Sequence, residues 1–149
     1  MDLGDQLSAR RHLECVLAHV APAQKSRIVR FEGGGNRSAA ARAYLARILW
    51  LQGFPGQAMR TAESSIEDAR ATNHAISLGH ALLVAACRIA LWIGDLAAAE
   101  HYVEMLLDHS TRHALARWRA FGRSFQGVLV IQRGDVLTGL PLLRAERRK

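Results

Sequence analysis

The chain has two cysteines, three prolines and only two lysines among its twenty basic residues. Cys15 and Cys87 form no C-x-x-C pair, so neither a disulfide scaffold nor a zinc site is indicated, and a reducing cytoplasm is the expected compartment. With three prolines and twelve glycines in 149 residues, low-complexity and collagen-like chains are excluded. No stretch alternates apolar and polar residues for long enough to make a strand. The most apolar run, residues 81–93, contains Arg88 and follows His80. It lacks the roughly 18 uninterrupted apolar residues of a membrane span, so no membrane contact is expected. The start, Met1-Asp2-Leu3-Gly4-Asp5, is acidic and unlike a secretory signal.

What is present suits one soluble globular unit. Hydrophobic residues make up 50% and charged residues 22%, enough apolar material for a sizeable core. The net charge of +7 is uneven: residues 112–149 carry nine basic and two acidic groups, whereas residues 75–111 carry one and four. Eighteen of the twenty basic residues are arginine. A GC-rich coding bias accounts for that ratio, and selective binding of phosphates or carboxylates is the sharper reading.

Internal repetition organises the chain. Three segments, residues 49–58, 90–99 and 130–139, align on Gly53, Gly94 and Gly134, with offsets of 41 and 40 residues. Each glycine follows an apolar stretch and precedes, by five positions, a small residue: Ala58, Ala99 or Gly139. Glycine suits the left-handed residue that ends a helix, while Asp95 and Asp135 are placed to cap the next one. Pro55 suits a first helical turn. The spacing predicts helix pairs at about 37–52 and 55–73, 76–93 and 95–110, and 112–133 and 135–147. A further helix is expected from about Asp5 to Val20, with an apolar stripe of Leu3, Leu7, Leu13, Val16, Leu17 and Val20. Residues 22–35 break the pattern, most strongly at Gly33-Gly34-Gly35. The expected organisation is therefore residues 1–35, a helix and a flexible loop, followed by residues 36–149, three stacked helix pairs. The fold class is all-α: seven helices in a right-handed superhelix of antiparallel pairs.

At Gly94-Asp95-Leu96 with Ala99, and at Gly134-Asp135-Val136, the sequence resembles the tetratricopeptide-repeat superfamily. The period of 40–41 exceeds that family's usual length of about 34, and its early Trp-Leu-Gly-Tyr pattern is missing. Runs such as Ala43-Tyr44-Leu45-Ala46-Arg47-Ile48-Leu49-Trp50 and Trp118-Arg119-Ala120-Phe121-Gly122-Arg123-Ser124 resemble a narrower group, the helical tails of large bacterial regulators. Those regulators join a winged-helix or nucleotide-cyclase domain to a switch ATPase. The resemblance spans residues 37–149, with residues 7–20 similar to the second helix of a preceding repeat. It implies a detached sensor or docking tail with a role in signalling or transcription regulation.

Motifs of chemistry are scarce. Gly33-Gly34-Gly35-Asn36-Arg37-Ser38 lacks the lysine of a phosphate-binding loop, and Asn36 or Ser38 is expected to cap a helix instead. His109 and His113 are four apart, but Ser110-Thr111 between them reads as a helix break, so no metal is expected. No nucleophile elbow occurs, and Arg133-Gly134-Asp135 is a repeat turn. Trp50 and Trp92 are read as core residues, and Cys87 as a small buried hydrophobe. Neither an enzyme nor a cofactor is indicated.

One constellation remains. Arg47 and Arg88 both stand six residues before their repeat glycine, so they occupy equivalent places on successive first helices. The third repeat has Val128 there, with Arg119 and Arg123 earlier in the same helix. These four are the candidate groove residues, with Arg47, Arg88 and, more weakly, Arg123 as a strip for carboxylate or phosphate groups. The bland alternative is that they are solvated or paired to acidic side chains. The expected function is a non-enzymatic module binding a protein or peptide partner, with a homodimer through an unfinished end as a further expectation. Nucleic-acid binding through the basic last helix pair and small-molecule sensing are the other readings.

Overall fold

The computed structural model describes residues 5–19 and 37–146, and among these every regular element is helical. Seven helices follow one another: α1 (Gln6–His19), α2 (Arg37–Leu51), α3 (Pro55–Ala71), α4 (Ala75–Ile93), α5 (Leu96–Arg112), α6 (Ala116–Gln132) and α7 (Val136–Glu146). The glycine break expected at residues 22–35 lies outside the described residues, as do Leu3 and Val20.

The repeat turns form as their chemistry dictates. Gly53, Gly94 and Gly134 take φ values of +86°, +76° and +98°, a left-handed region that a side chain would strain. Asp95 accepts the Ala98 N–H at 3.0 Å and Asp135 accepts the Thr138 N–H at 3.0 Å, so each aspartate caps the helix that follows. Pro55 opens α3, where a missing N–H costs nothing. Asp5 caps α1 through the Ser8 N–H at 2.8 Å. Between pairs, the turns carry Asn73 at φ 48° and Ala114 at φ 52°. Ser38 lies inside α2 rather than capping it, and its hydroxyl donates to Asp68 of α3.

Small residues set how closely the helices meet. Ala58, Ala62 and Ala99 are fully buried at pair crossings. At the last pair the contact is glycine on glycine: a methyl group on Gly139 would stand 2.7 Å from the Gly127 carbonyl oxygen. Three clusters make one continuous interior. Ile66, Leu82, Val103 and Leu106 fill the centre, Leu45, Leu49 and Ile89 fill the α2–α4 side, and Leu91 and Leu129 join α4 to α6.

α4 is the central helix. Its 19 residues are long and apolar enough to cross a membrane, but 67% of its most apolar window is buried against the other helices. Arg88 does not interrupt it. Residues Leu82–Ala86 form a π-helical segment, and the Cys87 N–H donates to Leu82, five residues back. Such a segment accommodates one extra residue within an α-helix. From Asn73 to Gly94 is one residue more than from Ala114 to Gly134, so the 41-residue offset has its surplus here.

Two ends depart from expectation. Leu13 and Leu17 of α1 pack on the core, but Leu7 is 67% exposed and α1 has no fully buried residue. α5 runs through Ser110-Thr111 to Arg112 without a break, because Ser110 turns its hydroxyl back to the Leu107 carbonyl and remains helical.

Candidate functional site

Arg47 on α2 and Arg88 on α4 are neighbours, as their common offset requires. Burial lowers the pKa of Arg88 first, and the positive charge of Arg47 lowers it further. Arginine starts so far above neutrality that Arg88 remains charged. Arg88 is held from two directions. Its Nε donates to the Leu83 carbonyl at 3.2 Å, and its guanidinium lies 5.9 Å from the centre of the Phe125 ring on α6. In an α-helix the Cys87 N–H would occupy that carbonyl, but in the π segment it turns to Leu82, leaving Leu83 for the side chain. Tyr44, one turn before Arg47, also acts electrostatically on Arg88, and its ring meets His80 edge-on at 5.6 Å. Burial lowers the pKa of His80, favouring the neutral imidazole.

Arg47 is held by nothing comparable. Its Nε is buried without a hydrogen-bond partner, and it makes no ion pair among the described residues. Other arginines are treated differently. Arg10 meets Glu14 at 2.7 Å, Arg42 meets Asp68 at 2.8 Å, Arg133 meets Glu100 at 2.7 Å, and Arg112 meets Asp108. Among the described residues, carboxylates thus reach several arginines and leave the Arg47–Arg88 pair without one.

The third helix of the face contributes differently from expectation. Arg119 is half-buried and Arg123 is exposed, and neither is among the charges that act on Arg88. Phe125 takes that place. The ring was legible in principle, because Phe125 and Tyr44 both stand nine residues before their repeat glycine. The π segment and the His80 contact have no comparable trace in a repeat alignment.

The remaining candidates divide. Cys87 is fully buried, and burial pushes its thiol pKa far up, so it is an inert core residue, whereas Cys15 is exposed. Trp50 and Trp92 stack at 4.5 Å, yet Trp92 is 40% exposed, at the edge rather than in the core. The helical path brings the His109 and His113 rings to 4.5 Å. No group of three metal-binding side chains occurs among the described residues.

Comparison with known proteins finds no matching family model, no matching curated protein and no matching solved structure. The functional reading therefore rests on the geometry of the face.

Proposed function

We propose that this chain is a non-enzymatic interaction module whose stacked helix pairs form a right-handed superhelical scaffold. Its Arg47–Arg88 face grips an acidic segment of a protein or peptide. The observation that supports this is the pair itself: two equivalent cations side by side, partly desolvated and without a carboxylate among the described residues. Two like charges in such a setting raise the energy of the free protein, and a bound carboxylate relieves it. Phe125 and Tyr44 supply flat apolar surface beside the charges, suited to the stem of a glutamate or an adjoining apolar residue. The turn motifs that resemble tetratricopeptide repeats agree with a docking or sensor role in a bacterial signalling or transcriptional system.

Titration with an acidic peptide and, separately, with duplex DNA at two salt concentrations tests this reading. Specific peptide binding that is lost in Arg47→Gln supports it. DNA binding that falls steeply with salt and ignores Arg47→Gln would instead assign function to the basic stretch at residues 112–149.

A further inference from the structure

At the opposite edge from the glycine turns, an open cleft of about 250 Å³ lies between the end of α3, the α3–α4 turn and the end of α5. Its polar lining is Arg70, Asn73, His74, His109, Arg112 and His113, and among the described residues no carboxylate lines it. Arg70 illustrates the imbalance: its guanidinium donates to the Met105 thioether at 3.3 Å, a weak acceptor, and forms no ion pair among the described residues. Arg112 is held in place by Asp108, which stands outside the lining. The histidines are oriented by the backbone. His109 Nε2 donates to the Ala75 carbonyl at 2.7 Å, which leaves Nδ1 for another partner. His74 Nδ1 accepts the Ser77 N–H at 3.3 Å. The His113 ring lies tilted against the His109 ring, 4.5 Å between centres.

We propose that this cleft is a binding site for a phosphate group, separate from the Arg47–Arg88 face. Donors approach it from α3, from the inter-helix turn and from α5, which suits a tetrahedral anion accepting from several directions better than a planar carboxylate served by one arginine. The volume is below the ~300–1,000 Å³ of drug-sized ligand sites, so it fits a phosphate carried on a small body. Leu78 and Met105 provide the apolar wall for that body. The titratable and charged groups around the cleft are Arg70 from α3, His74 from the turn, Asp108, His109 and Arg112 from α5, and His113 just after it, while α4 presents Ala75 and Leu78.

The test uses the full chain, amide chemical shifts and three probes: sulfate, inorganic phosphate and phenyl phosphate. Sulfate supplies a tetrahedral anion of fixed charge. Saturable shifts centred on Asn73, His74, Ala75 and His113 are expected. The Arg70→Gln/Arg112→Gln variant, altered at two exposed side chains, should bind about tenfold more weakly. Phenyl phosphate binding more tightly than inorganic phosphate assigns the site to a phosphorylated small molecule, and equal affinities assign it to the free ion; both uphold the anion site. The absence of saturable shifts at these amides in the unaltered chain, or unchanged affinity in the double variant, would overturn it. Loss of acidic-peptide binding in Arg47→Gln has no bearing on this outcome, so the two readings fail separately.

Discussion

Arg88 Nε donates to the Leu83 carbonyl at 3.2 Å, so a side chain serves the oxygen that the π segment takes from the Cys87 N–H. The same contact fixes where the guanidinium stands, between Arg47 and the Phe125 ring. Replacing Arg88 by Met keeps the stem but leaves the carbonyl short of its donor and removes the ring contact. Stability should fall by about 1 kcal/mol, measured by urea unfolding.

The glycines separate by what surrounds them. Gly139→Ala drives a methyl group into the Gly127 carbonyl, so overpacking outweighs the gain in helix propensity, and stability should fall by about 1–3 kcal/mol. Gly56→Ala, at the exposed start of α3, meets only the end of the Arg60 side chain at 3.6 Å. There the propensity gain should stand, raising stability by about 0.5–1 kcal/mol. Thermal unfolding of the two variants in parallel checks both signs.

Much of this architecture was legible because turn chemistry is local. A glycine followed by Asp95 or Asp135 states both the end of one helix and the cap of the next, and Gly139 states a close crossing. The inter-pair turns are harder to read: Asn73 and Ala114 adopt left-handed conformations without glycine, and Ser110-Thr111 resembles in sequence the break that falls after Arg112. Of the site, equal offsets from the repeat glycine placed Arg47 and Arg88 together. They did not place Arg123, because the position facing Arg88 from α6 is governed by packing and is filled by Phe125. The surplus residue in the 41-residue offset was visible, but nothing local distinguishes a π segment within α4 from a longer turn.

Cysteine chemistry should divide cleanly. The exposed Cys15 reacts with iodoacetamide in the folded protein, while burial and a raised pKa keep Cys87 from forming thiolate. Mass spectrometry should show one adduct under native conditions and two in denaturant. Two adducts in the native state would contradict the packing of α4.

His80 makes stability depend on pH. Its folded-state pKa is depressed by burial, so its contribution is complete above the ordinary histidine value of about 6.5 and is lost as pH falls through the folded value. His80→Phe retains a ring against Tyr44 and removes this component. The unfolding midpoint of the unaltered chain should drop on acidification below neutrality, and the variant should show a smaller drop over the same window.

The most direct test of the Arg47–Arg88 face is the thermal unfolding of Arg47→Met, read beside its affinity for an acidic peptide. Methionine keeps the apolar stem while removing a charge that repels Arg88 and a buried Nε that has no partner. A residue present for binding rather than folding should yield an unfolding midpoint equal to or above that of the unaltered chain, with peptide affinity at least about tenfold weaker. A midpoint several degrees lower, with peptide affinity unchanged, would make Arg47 a structural residue and contradict the account.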